Sequence, residues 1–128
     1  MNIAQDLFVK TSGPTPQVVF PEGHDLRIQQ AARQLLDQSI ATPILLGDPA
    51  KLAASAQQEG ISLQGMSILD PTTCDDKMLD DFAASYLKGR PGSKPAVAKR
   101  LMQKPLFFAA MLVKTAQADA LVAGVSHP

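Results

Sequence analysis

The sequence predicts an α/β fold, a doubly wound parallel sheet with helices on both faces. Three observations lead there. Short, wholly apolar runs match strands buried on both sides, amphipathic stretches at helical spacing lie between them, and turn residues punctuate nearly every junction. Strands separated by helical segments form βαβ crossovers, which are right-handed in nearly all cases, so an open parallel sheet is the natural product.

Ile3, Leu7 and Phe8 recur at helical spacing, and the turn-rich stretch Thr11 to Pro16 ends that first helix. Val18, Val19 and Phe20 predict a buried strand closed by Pro21-Glu22-Gly23. Ile28, Ala31, Ala32, Leu35 and Leu36 then form one apolar stripe over about His24 to Gln38. Ile44-Leu45-Leu46 is a second strand with Gly47-Asp48-Pro49 as its exit. Asp48 suits the cap position of the following helix, Pro49 its first position, and Gly60 the position just past its end.

Met66 to Leu69 reads as a third strand ended by Asp70-Pro71. Met78, Leu79, Phe82, Ala83, Tyr86 and Leu87 mark a strongly amphipathic helix, stopped by Gly89-Arg90-Pro91-Gly92. A helix opened by Ser93 with Val97 and Leu101 inward, and another from near Pro105 with Phe108, Met111, Leu112 and Thr115 on one face, lead to a last strand, Ala120 to Val125.

The 128 residues suit one compact domain, and 45% hydrophobic with 19% charged residues is ordinary for a soluble globular chain. Twelve basic against twelve acidic residues give a formal net charge of zero, so no bulk field draws the chain to nucleic acid or an anionic membrane. The one cysteine, Cys74, excludes an intrachain disulfide, and Met1 to Lys10 lacks the apolar run of a secretory signal, which points to the cytoplasm.

Ligands of open parallel sheets bind beyond the carboxyl ends of the strands, where strand order reverses. The loops expected at that edge are Pro21 to His24, Gly47-Asp48, Asp70 to Thr73 and Gly124 to Pro128, and both histidines, His24 and His127, fall in this set. Each could bind phosphate, carry a proton or cap a helix amide. The phosphate fingerprints of dinucleotide and nucleoside-triphosphate sites are missing, and no cluster has metal-ligand spacing, so no metal is expected. Asp75-Asp76 and Asp80-Asp81 read as helix-start charge and a solvated face. Cys74 reads as an ordinary thiol. Lys88, Arg90, Lys94, Lys99, Arg100 and Lys104 form a cationic segment. It is either a solvated surface or, at Lys88 and Arg90, a loop that meets a phosphorylated ligand.

Several segments together resemble the phosphate acetyltransferase (phosphotransacetylase) family. They are Val19-Phe20-Pro21-Glu22-Gly23 with Asp25, Arg27 and Ala31-Ala32; Ile40 to Gly47; Ile68-Leu69-Asp70-Pro71; Phe107 to Lys114; and Ala118 to Gly124. The resemblance covers nearly the whole chain and well under half of a full-length family member. It implies that residues 1–128 are the amino-terminal α/β segment of the first domain of an isocitrate/isopropylmalate dehydrogenase-like fold, with the rest of that domain and the second domain lying beyond.

The implied reaction is acetyl-CoA plus phosphate giving acetyl phosphate plus CoA, in a cleft between two domains of a homodimer. CoA would be a substrate and no cofactor would be tightly bound. The family's Gly-x-x-His motif matches Gly124-Val125-Ser126-His127, where Pro128 stands in place of the usual Ser or Thr. The catalytic groups are expected beyond Pro128, so the 128-residue chain alone is expected to be inactive. Glu22, His24, Ser126 and His127 are the candidates for lining the substrate cleft, and Lys88 and Arg90 for binding CoA. Alternatives are an ethanolamine-utilisation paralogue, a phosphate butyryltransferase, or a catalytically silent domain that binds CoA weakly or mediates assembly. An unpaired strand edge is expected to drive self-association.

Overall fold

The apolar strands sort their side chains alternately onto two faces, and that alternation organises the molecule. The computed structural model describes residues 15–124. Among them are strands β1 (Gln17–Phe20), β2 (Thr42–Leu46), β3 (Ser67–Leu69) and β4 (Ala120–Leu121), and helices α1 (Leu26–Asp37), α2 (Pro49–Gln58), α3 (Asp76–Leu87), α4 (Pro95–Met102) and α5 (Pro105–Lys114). All strand pairs are parallel, in the order β3-β2-β1-β4. Val19 pairs with both Ile44 and Leu121, so β1 is the spine of the sheet.

Val19, Ile44 and Leu46 project into a core with Leu79 and Phe82 of α3, Ala98 and Met102 of α4, and Phe108 and Leu112 of α5. Phe20 and Leu45 point the other way, onto Ile28 and Ala32 of α1 and Leu52 of α2. The expected double winding is therefore present. Helices α1 and α2 carry the chain outward from β1 over one face. The α3 to α5 connection brings it back over the opposite face to β4 on the far side of β1. Changing face when the direction reverses is what keeps every crossover the same hand.

Helix starts follow the local chemistry. Asp25, Asp48 and Asp75 each accept a bond from an amide of the first turn, at Arg27 (2.8 Å), Ala50 (2.9 Å) and Lys77 (3.0 Å). Pro49, Pro95 and Pro105 open α2, α4 and α5, where their fixed φ fits and no amide is missed. Phe82 and Phe108 meet edge to face with ring centroids 5.3 Å apart and pin α3 to α5.

Several expectations need correction. Helix α4 starts after Lys94, not Ser93, and Val97 is 47% exposed. The segment offers two overlapping apolar pairs at i, i+4, and the one with small Ala98 and flexible Met102 wins because it lets α4 approach α3 closely, while Leu101 packs at the margin. Thr115 ends α5 rather than facing the core, with its hydroxyl donating back to the Met111 carbonyl at 2.8 Å. Strand β3 begins at Ser67, and β4 is two residues long. Beyond it the Val122 amide still reaches the Val19 carbonyl (3.0 Å), but Gly124 takes φ +94°, a turn most residues avoid, and the ladder stops. The helix expected around Ile3 to Phe8 lies outside the described residues.

Candidate functional site

Strand order reverses between β1 and β4, so a ligand should sit beyond their carboxyl ends. A cleft of about 760 Å³ opens there. Pro21, Glu22 and His24 line it from the turn after β1, Leu46 and Gly47 from the end of β2, Ala123 and Gly124 from the exit of β4, and Lys104 to Phe107 from the start of α5.

The turn after β1 is the most firmly built part. The Asp25 amide donates to the Glu22 carbonyl at 3.0 Å, closing the turn that leads into α1. Gly23 lies against β2: a Cβ at this position would stand 2.5 Å from the Leu46 carbonyl oxygen, so only glycine fits without backbone movement. Fully buried Gln29 of α1 reaches back, and its Nε2 donates to the Gly23 carbonyl at 2.9 Å and to Ser55 Oγ at 3.3 Å. Its Oε1 has no hydrogen-bond partner among the described residues. A stranded buried acceptor costs about 1–3 kcal/mol, an expense the two donor bonds must offset.

Glu22 is 7% exposed, and its Oε1 accepts the Gly124 amide at 2.8 Å across 102 residues of sequence. This bond joins the two strand exits that flank the reversal. His24 lines the same cleft. Ser126 and His127 lie outside the described residues, but the Gly124 from which they continue stands beside Glu22.

The cleft is otherwise apolar on the α5 side, where Leu106 is 54% exposed. Lys104 supplies positive charge. It occupies the cap position of α5 without a side-chain cap bond, and the first turn of α5, with the positive end of its dipole, lines the cleft. Together these groups can hold an anion against Lys104 and the head of α5 and an apolar group against Leu106 and Phe107.

Lys88 and Arg90 are not brought to this cleft. Helix α3 leaves the carboxyl edge after β3, so its last residues lie toward the amino edge, about 18 Å along the axis for twelve residues. There Lys114, at the end of α5, donates to the Ser85 carbonyl at 3.2 Å. Arg90 is folded onto its own helix, donating to the Tyr86 carbonyl at 3.0 Å with its guanidinium 4.0 Å above the Tyr86 ring. Lys99 of the same cationic segment faces Asp80 (3.1 Å) and Asp76 (3.7 Å), which raise its pKa. Of the cationic segment, Lys104 is the member that lines this cleft. Pro105 after Lys104, which starts a helix pointing back from the strand ends, was the available signal.

Among the described residues, no group of His, Cys, Asp and Glu could hold a metal ion, and no helix is long and apolar enough to cross a membrane.

The family profile described as "Phosphate acetyl/butaryl transferase" matches residues 2–128. A phosphate acetyltransferase from Staphylococcus aureus is 33% identical over 128 residues, covering 99% of this chain and 38% of its own length. One from Corynebacterium glutamicum is 35% identical over 112 residues, covering 86% of this chain and 33% of its own length. In structure, the chain is similar to EutD phosphotransacetylase from Staphylococcus aureus (TM-score 0.86, 32% identity, covering 99% of this chain and 39% of that one). It is also similar to a phosphotransacetylase from Streptococcus pyogenes (TM-score 0.82, 30% identity, 100% and 40%). The chain therefore spans less than half the length of the proteins it matches.

Proposed function

The chain belongs to the phosphate acetyl/butaryl transferase family, and on that premise we propose that the whole protein transfers an acetyl group between CoA and phosphate. Phosphate oxygen attacks the thioester carbonyl, the carbon–sulfur bond breaks, and the thiolate leaves to take a proton. Little covalent help from side chains is needed. Positioning of the two substrates and donors aimed at the developing oxyanion supply much of the rate.

The supporting observation is the cleft at the strand reversal, bridged by Glu22 and Gly124 and bordered by His24 and Lys104. In this reading Lys104 and the head of α5 attract the phosphates of CoA or the phosphate substrate, and His24 lines the path of the acyl group. Ser126 and His127, which follow Gly124 in the sequence, stay candidates for the same substrate site in this reading. Lys88 and Arg90 would serve only the far end of an extended CoA. CoA enters as a substrate, with no tightly bound cofactor.

Residues 1–128 form part of the first of two α/β domains, in the arrangement of isocitrate and isopropylmalate dehydrogenases. The protein works in the cytoplasm as a homodimer. Turnover requires groups outside the described residues. The apolar wall of Leu106 and Phe107 favours one second reading, a preference for a longer acyl chain such as butyryl.

The test is isothermal titration of the chain with CoA beside an assay of acetyl phosphate formation from acetyl-CoA or butyryl-CoA. CoA binding without turnover is expected. Absence of CoA binding at millimolar concentrations would count against the reading.

A further inference from the structure

We infer that Glu22 is a positioning residue, whose carboxylate holds the exit of β4 against the turn after β1 and so fixes the geometry of the cleft. The inference rests on the proposed function only for the identity of the ligand. Burying a carboxyl costs free energy unless it is bonded, and the bond it makes to the Gly124 amide, at 2.8 Å, is of the strong charge-assisted type.

The position of that bond is informative. Strand β4 is held to β1 by a short ladder whose last rung is the Val122 amide on the Val19 carbonyl. Past that rung the Gly124 amide donates to the Glu22 side chain and so extends the link between the two strand exits. The mount is stiff. Gln29 holds the Gly23 carbonyl, the Asp25 amide holds the Glu22 carbonyl, and Gly23 is seated on Leu46. Among the described residues the exit of β4 is the less anchored side, since Ala123 and Gly124 are exposed and Gly124 takes a left-handed φ. Control therefore runs from Glu22 to Gly124. Gly124, the residue so held, is also the first residue of the Gly-x-x-His motif.

The experiment uses the 128-residue chain and its variants Glu22→Ala, Glu22→Asp and Glu22→Gln, followed by amide hydrogen exchange, nuclear Overhauser distances between His24 and Gly124, and titration with CoA. Glu22→Gln is nearly isosteric and keeps an acceptor oxygen, whereas aspartate is one methylene too short. Protection of the Gly124 amide should fall roughly tenfold or more in the alanine and aspartate variants and return in large part with glutamine. Leu45, in the sheet centre, should stay protected throughout. The His24–Gly124 distance should lengthen, and CoA affinity weaken, in the same order.

Unchanged Gly124 protection in the alanine and aspartate variants would overturn the inference. So would lost protection with the His24–Gly124 distance unchanged, because the bond would then position nothing. A wild-type chain that binds no CoA while the exchange and distance changes follow the expected order would retire the proposed function and leave Glu22 in its positioning role.

Discussion

Gln17 and Asp119 are joined twice: the Asp119 amide donates to the Gln17 carbonyl at 2.7 Å, and the Gln17 amide donates to Asp119 Oδ2 at 2.7 Å. The pair locks the amino ends of β1 and β4, as Glu22 and Gly124 lock the carboxyl ends. A two-residue strand is thereby fastened at both extremities. Asp119→Ala should destabilise β4 by about 1–2 kcal/mol. The loss should be visible as faster exchange of the Val122 amide with little change at Leu45, and equal acceleration at both would point instead to global unfolding.

Phe108 is fully buried against Phe82 between α3 and α5. Replacing it with alanine leaves a cavity under the return crossover and should cost about 3–5 kcal/mol, whereas Phe108→Leu should cost markedly less. Urea unfolding followed by circular dichroism measures both.

Gly23→Ala puts a methyl 2.5 Å from the Leu46 carbonyl oxygen. Because the obstacle is backbone, the turn must move. A loss of about 1–3 kcal/mol in stability is expected, together with weaker CoA binding. An alanine variant with wild-type melting and affinity would show the turn to be softer than its contacts imply.

Lys104→Gln removes the charge at the head of α5 without touching the core. CoA affinity should drop roughly tenfold at low salt, with a smaller difference at high salt and no change in melting temperature.

Burial raises the pKa of Cys74 above its ordinary 9.0, and the carboxylates of Asp70, Asp75 and Asp76 push the same way. The folded thiol thus ionises after the unfolded one. From this group, stability is constant below about pH 9 and declines as pH rises toward the folded value, because the unfolded state ionises first. Alkylation by iodoacetamide at pH 8 should be slower for the folded chain than for the urea-unfolded chain.

Much of this architecture was legible in the residues. The runs around Val19 and Leu45 are buried on both faces because helices cover both, and Asp48 with Pro49 announces α2 through chemistry that acts within one turn. What escaped reading depends on distant partners. Val97 and Ala98 are equally plausible inward residues until α3 supplies the neighbour. The early end of β4 comes from Gly124 turning toward Glu22, a relation across 102 residues that no local pattern encodes. In the cleft, the turn after β1 was recognised from its place after a strand. Lys104 was hidden among similar lysines, and its place at the cleft depends on α5 starting at the strand ends.

The strand order also sets a timetable. A chain made from its amino end can pair β1 with β2 and β2 with β3 as each emerges, because every step closes a short crossover. The pocket cannot exist then, since one of its walls is β4, which arrives only after three further helices and must find β1 across the longest loop in the fold. Synthesis therefore assembles β1 to β3 before the cleft can form, so nascent chains should gain cooperative structure before the cleft exists.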